Sequence, residues 1–548
     1  MNQGRLNRAA FALVAFFAVS ANAKDFPARL GEYVVQLKSK AAIVSHSSIE
    51  RSLGVKVKDI VSKEHGILLV ERPLVETAPS AIAALSANSM VRIAEPNYIY
   101  RVVGGSSSLP NDAELTRLWG LINSGQVVEG DGGTFTAKAG VDIGAERAWE
   151  IETGLHDVIV AVIDTGVNWS HPDLAGNMFT NEAEKNGLPG VDDDANGCVD
   201  DVHGCDIVGK DGDPMDVYGH GTHVSGTLGA MGNNANGITG VAWNVRILPV
   251  RFLGDDGGGS LADAIKAVDY ATAMKANIMN NSWGGGGFSQ QLMDAIARAR
   301  DAGILFLAAA GNSSNDNDRN PEYPASYRLD NVMAVAALDP VGMLADFSNY
   351  GKSSVAIAAP GVNIVSYTMR GVESWSGTSM ACPHVTGVAA LLLSQDTTQT
   401  YSTIMARLKN SARPMANLRN RVSTGMVDAY LALTNQVAPA DPDDPFHWMK
   451  TTENASTLHP FGDNRTETFT FSVPGATRIA VYFTRFDTEA GYDIAEFRNS
   501  AGVVVGRLSG NIGEGFGPVV DGDTVTVTIT SDDSVPSFGF DVGGVAYQ

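Results

Sequence analysis

Four polar side chains stand at the ends of apolar runs, in the chain order Asp164, His220, Asn312 and Ser379. Ser379 lies in GTSMACPHV at 377–385, which continues into an apolar segment, 386–394, that reads as a buried helix. A hydroxyl in the first turn of a helix sits beside unpaired backbone N–H groups and the positive end of the helix dipole. That is a good place for a nucleophile whose reaction creates an oxyanion, although Gly-Thr-Ser alone reads equally well as a helix cap. Asp164 closes VIVAVID at 158–164, so its carboxylate is expected at the carboxyl end of a buried strand. His220 opens GHGTHVSG at 219–226, a second small-residue helix. Together Asp, His and Ser supply the orienter, base and nucleophile of acyl transfer. Asn312 ends LAAAGN at 307–312 and offers a side-chain amide suited to an oxyanion hole. His223, one turn after His220, competes for the role of base. His384 follows the serine too closely to turn back to it and reads as structural.

The joint occurrence of these four motifs, in this order, resembles the subtilisin-like serine proteases over roughly residues 109 to 435. The resemblance implies a secreted serine endopeptidase with Asp164, His220 and Ser379 as triad and Asn312 as oxyanion donor. It also implies a peptide bound as an added strand between two edges, Gly257-Gly258-Gly259 and Ser282-Trp283-Gly284. Glycine permits close backbone approach, and each edge reads otherwise as a turn. In relatives the residue before the Tyr-Pro of NPEYPASY, 320–327, floors the pocket for the side chain preceding the scissile bond; here it is Glu322. A carboxylate in an enclosed pocket needs a partner, which a substrate Lys or Arg supplies. Alternatively Glu322 pairs with Arg319 or Arg328, leaving Trp283 and apolar walls to favour Phe, Leu or Met. The competing class is a protease-like body that has lost its chemistry and presents its last domain for binding.

The elements around these residues alternate. Apolar strands are predicted over 158–164, 246–253, 278–283, 305–311, 332–339 and 355–361, with helical patterns at 261–275 and 290–300 between them. Continuous apolar strands alternating with helices predict an α/β fold, a parallel sheet covered by helices on both faces. Sites in such sheets gather at the carboxyl ends of strands, where Asp164 and Asn312 are placed.

The chain is 548 residues long, 44% hydrophobic and carries a formal charge of −22. It therefore divides into several units, and its charge argues against nucleic acid or an anionic membrane as partner. Residues 1–23 read as a secretory signal, with Arg5 and Arg8 before an apolar run too short to span a bilayer. No other stretch is long enough to span. Residues 24–103 read as a small α+β unit, similar to the inhibitory propeptide of subtilisins, with a strand at 32–38, a helix at 78–90 and an extended 91–101. The flexible GGSSS at 104–108 suits cleavage. The catalytic unit is assigned to 104–437, a stiff acidic linker to 438–447 and an all-β sandwich to 448–548. The sandwich is read from β runs at 467–473, 478–486, 503–508 and 524–530. It resembles a CUB domain without that family's cysteines, or a generic C-terminal sandwich, and is expected to bind a surface, a protein or a glycan. The enzyme is expected as a monomer.

Calcium is the expected cofactor. DDDANGCVDD at 192–201 places Asp192, Asp194, Asn196, Cys198 and Asp200 at positions one, three, five, seven and nine of an EF-hand-like loop, with Gly197 at six. Position twelve is His203, so Asp201 or water completes the shell. Relatives suggest a second site at Asp112, Asp173, Asn234, Asn236 and Ile238. A third would use Glu489, Asp493 and Asp532. Of three cysteines, Cys198 and Cys205 are close enough to bridge, and Cys382 reads as a small buried apolar residue.

Overall fold

The computed structural model describes residues 28–39, 46–72, 78–98, 109–441 and 444–548. The signal segment and the 104–108 junction lie outside them. The chain forms two compact units, one comprising residues 1–72 and 84–102, the other 73–83 and 103–548. In the first unit a four-stranded antiparallel sheet has the order Lys56–Ser62, Ile67–Glu71, Ala28–Leu37, Val91–Tyr98. Helix His46–Leu53 belongs to this unit, as do residues 84–86 of helix Ala78–Ser86.

The second unit is built on a seven-stranded sheet. Its order is Ile357–Pro360, Val332–Leu338, Leu305–Ala309, Ile278–Asn281, Gly154–Asp164, Asn244–Arg251 and Cys205–Asp206. Every pairing is parallel. The cause is legible in the residues: Val158, Val160, Ala161, Val162 and Ile163 are all buried, as a strand covered on both faces requires. The edge strand Cys205–Asp206 is too short to carry such a pattern. Helices Leu261–Ala273 and Gln290–Asp301 begin at Ser260 and Ser289, whose hydroxyls accept from the N–H groups of Asp263 and Leu292. Helices His220–Gly229 and Thr378–Gln395 pack together, and the second is apolar all round and buried for most of its length.

Two local features set the reactive geometry. Gly221 lies where a Cβ would fall 2.0 Å from the Gly166 carbonyl oxygen, so only glycine lets the His220 helix approach the end of the Asp164 strand. Pro383 inside the long helix has no N–H for the carbonyl four residues before it. That carbonyl belongs to Ser379, and it accepts instead the Ser282 hydroxyl at 2.9 Å.

Residues beyond 444 form two antiparallel sheets. One is centred on Arg478–Asp487 and Gly539–Tyr547, the other on Thr524–Thr530. The strands Ile494–Asn499, Asn511–Phe516 and Gly539–Tyr547 are additions to the sequence reading. The core between the sheets includes Phe461, Phe483, Phe486, Phe497 and Phe540, all fully buried. Met343, from the turn after Val332–Leu338, is buried in this same cluster. Tyr350 and Arg421 donate to the Asn511 carbonyl at 3.0 and 2.9 Å, so the sandwich is packed on the α/β body. Among the described residues no helix is long and apolar enough to cross a membrane.

Candidate active site

Three adjacent strands of one parallel sheet end at the same edge, and each delivers a polar group there. Gly154–Asp164 ends in Asp164, Ile278–Asn281 runs into Ser282 and Trp283, and Leu305–Ala309 runs into Asn312. Asp164 is fully buried, and its Oδ1 lies 2.7 Å from His220 Nδ1. A carboxylate there can only accept, so Nδ1 carries the proton and Nε2 is the free basic nitrogen. Burial opposes charge on His220, but the Asp164 charge, the hydrogen bond to it and the Asp216 charge outweigh burial and raise its pKa.

The competing histidines differ. His223 is buried, its Nε2 is 3.0 Å from the Ile364 carbonyl and its ring stacks on Trp375. Burial above all, then the neighbouring His220, pushes its pKa down to about 3. His384 is buried with Nδ1 2.9 Å from the Met380 carbonyl, and burial lowers it to about 4. Neither is placed or poised as a base. Cys382 is buried and free, its thiol pushed up to about 12 by burial, and is inert as a nucleophile.

Ser379, half-buried at the start of its helix, donates its hydroxyl to the Ser282 carbonyl at 3.0 Å. With the reverse bond from Ser282 to the Ser379 carbonyl, the two serines clamp each other. Asn312 is exposed, and its Oδ1 accepts from both the N–H and the hydroxyl of Thr378, at 2.9 and 2.8 Å. This fixes the amide so that its NH₂ is the group left to donate. A cleft of about 740 Å³ is lined by His220, Gly257, Gly258, Gly259, Ser282, Trp283 and Gly284, among others, so the two glycine-bearing edges face one groove. Glu322 is half-buried next to Gly284 of this groove and to Gly311. A Cβ on Gly284 or on Gly311 would lie 3.2 Å from its Oε1 or 2.5 Å from its Oε2. Its Oε2 accepts from Asn349 Nδ2 at 2.6 Å. Arg319 pairs instead with Asp316.

The acidic loop is organised differently from a simple ligand ladder. Oxygens of Glu184, Asp194 and Asp201 all lie within 4.8 Å of one another. Burial, with a further contribution from Asp194, raises Asp201 to about 6. Asp192 turns to the N–H groups of Asn196 and Gly197, Asn196 Oδ1 to that of Cys198, and Asp200 to that of Gly190. Glu184, from the short helix Glu182–Lys185, lies eight residues before the loop and outside any spacing rule. Cys198 and Cys205 form a disulfide. At the second predicted position Asp112 accepts from the backbone of Asn233 and Asn234, and Asn234 donates to Asp173 at 2.5 Å. Asn236 N–H donates to Asn234, and Ile238 N–H to Tyr367, whose hydroxyl reaches Asp173. In the sandwich Glu489, Asp493 and Asp532 also gather within 4.8 Å, and Glu489 Oε2 and Asp493 Oδ1 are buried without hydrogen-bond partners among the described residues.

A family model described as the subtilase family matches residues 156–441. The chain belongs to the subtilase family. It is 34% identical over 408 residues to a thermophilic serine proteinase of Bacillus sp. (strain AK1), covering 74% of this chain and 87% of that one. It is 37% identical to thermitase of Thermoactinomyces vulgaris over 53% of this chain and 93% of that one. A halolysin-like extracellular serine protease of Natrialba magadii is 39% identical over 55% of this chain and 51% of its own. The chain is thus a subtilisin-like serine protease. Asp216, which the sequence reading did not single out, is buried, accepts hydrogen bonds at the start of the His220 helix and stands four positions before that histidine.

Proposed function

We propose that this subtilase is a secreted endopeptidase in which Ser379 attacks the peptide carbonyl and His220 Nε2 takes the hydroxyl proton. To do so Ser379 rotates from the Ser282 carbonyl toward His220. The tetrahedral oxyanion receives hydrogen bonds from the Asn312 NH₂ and the Ser379 N–H. His220 then protonates the leaving amine, and Asp164 stabilises the imidazolium. Water, activated by the same nitrogen, releases the acyl group and restores Ser379. The observation that carries this reading is the 2.7 Å His220–Asp164 contact, made at the edge where Ser379 and Asn312 also stand. Residues 24–103 act as an inhibitory propeptide removed by the enzyme itself, the mature enzyme is a monomer, and the last domain binds a surface, protein or glycan. Secretion is supported by the relative described as extracellular. A fluorophosphonate probe tests the nucleophile. One equivalent is expected to attach, mapped by peptide mass to Ser379, and folded protein left unlabelled there would sink the proposal.

Specificity is proposed for Lys or Arg before the scissile bond, recognised by Glu322. The support is that its carboxylate lies next to Gly284 and Gly311 rather than paired with Arg319.

Calcium is proposed at the Glu184–Asp194–Asp201 cluster, at the Asp112–Asp173 loop and at Glu489–Asp493–Asp532. Hard carboxylate oxygens this close suit a calcium ion. Without a cation the three carboxylates of the first cluster repel one another. The disulfide closes only a short loop in the same segment, worth about 2–3 kcal/mol. Chelation is therefore expected to lower the melting temperature of Ser379→Ala protein more than reduction does. A melting curve unmoved by chelator would remove the calcium proposal.

A further inference from the structure

Asp216 is 1% exposed, and its partners are all neutral donors. Oδ1 accepts from the Thr165 hydroxyl at 2.9 Å and from the N–H groups of Tyr218 at 3.0 Å and Gly219 at 2.8 Å. Oδ2 accepts from the N–H of Thr222 at 2.9 Å and from its hydroxyl at 2.6 Å. Two of these N–H groups stand at the start of the helix that carries His220. That helix begins from Gly219, at φ 103° and with no capping side chain of its own, so Asp216 serves as its cap from outside. The Thr165 hydroxyl that donates to Asp216 accepts in turn from the Gly221 N–H at 2.9 Å. The Thr165 N–H donates to Asp164 Oδ1 at 2.7 Å. One buried carboxylate thus ties the helix start on either side of His220 to the strand end that carries Asp164.

Capping alone would be served by a neutral acceptor. Burial raises the pKa of Asp216, five hydrogen bonds to its oxygens oppose that rise, and its charge is one of those that favour the imidazolium form of His220. We propose that Asp216 is a positioning residue of this protease, holding His220 against Asp164 and lending a second negative charge to the imidazolium formed as Ser379 attacks. This rests on the triad reading above. The other groups around His220 do not duplicate the role. Asp164 faces it from the strand end. His223, on its own helix, is held neutral by burial. Glu373 and Arg370, on the hairpin that carries Trp375, pair with each other at 3.0 Å.

Removing an anion near an imidazolium lowers its pKa, so more of the free base is present at low pH. In full-length Ser379→Ala protein, NMR titration of His220 is expected to show a fall of about 0.5–1 unit on Asp216→Asn. In enzyme with Ser379 intact, the acid limb of kcat/KM is expected to move down with it. The same substitution is expected to lower kcat about tenfold or more with KM little changed. Thr165→Ala keeps the charge but cuts the tie, and is expected to lower kcat without moving the His220 titration. A His220 titration within 0.2 units of the parent, with kcat unchanged, overturns the proposal, since Asp216 would then cap the helix and nothing more. If Asp216→Asn does not fold, Asp216→Glu, which keeps the charge and displaces it, is read by the same two measurements. Should the parent itself fail to cleave casein, the triad reading falls, while the His220 titration still decides the effect of the charge.

Discussion

Ser379→Ala is expected to lower kcat on casein by about 10⁶-fold, the loss that removal of the nucleophile causes in subtilisin. The loss is large because the triad acts as a unit. Without the hydroxyl, His220 has no proton to take, and its 2.7 Å bond to Asp164 orients a base with nothing to activate. What remains is binding in the cleft and the Asn312 amide, which by themselves hold a residual acceleration of roughly 10³–10⁴ over water. The variant should stay folded. The Ser379 hydroxyl is half-buried, and the bond it loses is one to the Ser282 carbonyl, worth about 1 kcal/mol. The reverse bond, from Ser282 to the Ser379 carbonyl that Pro383 leaves free, is untouched. The measurement is turnover with melting temperature recorded on the same preparation. Residual activity above about 1% in a folded sample would mean that another group attacks the substrate. If wild type and variant are equally inert while the sandwich captures a ligand, the protein uses its protease-like body as a scaffold.

What the sequence made legible follows a physical rule. Asp164, Asn312 and the two helix starts were readable because each polar residue interrupts an apolar run, and a parallel sheet collects strand ends on one edge. The partners that come from elsewhere in the fold were not. Glu184 precedes the acidic loop and joins Asp194 and Asp201 only when the short helix Glu182–Lys185 folds over them. Asp216 sits in a polar turn where an aspartate is ordinary, and only its burial and its bonds to Thr165 and Thr222 mark it out. The loop spacing picked out the segment that brings Asp194 and Asp201 to the carboxylate cluster, but it could not say that Asp192 and Asp200 would spend their oxygens on backbone N–H groups. Met343 was hidden for a similar reason: one apolar residue in a turn has no period, yet it anchors the sandwich to the α/β body.

Glu322 is expected to set the preference for Lys or Arg, and Glu322→Gln to erode it by about 30-fold or more. The fixed part of the environment is polar: Asn349 donates to Oε2 at 2.6 Å, and among the described residues no ion pair to the carboxylate is seen. Oε1 lies toward Gly284, one of the three residues of the cleft edge. On the proposed reading, a substrate ammonium or guanidinium entering past Gly284 meets the Glu322 carboxylate, which none of the described cations pairs with. Phe or Leu in the same place would strip water from the carboxylate and return nothing. Losing one member of a desolvated charge pair costs about 2–5 kcal/mol, and the cleft is open enough to place this pair near the lower bound. Gln keeps the size and one acceptor for Asn349 and removes only the charge, so the walls formed by Trp283 and the glycines stay as they are. The measurement is kcat/KM on matched peptides ending in Arg, Lys, Phe and Leu, for parent and Glu322→Gln. The Arg-to-Phe ratio should fall through loss on Arg, with Phe unchanged or improved. A ratio that shifts by less than about threefold, well under 1 kcal/mol, would place specificity in Trp283 and the apolar walls and leave Glu322 as the partner of Asn349 alone.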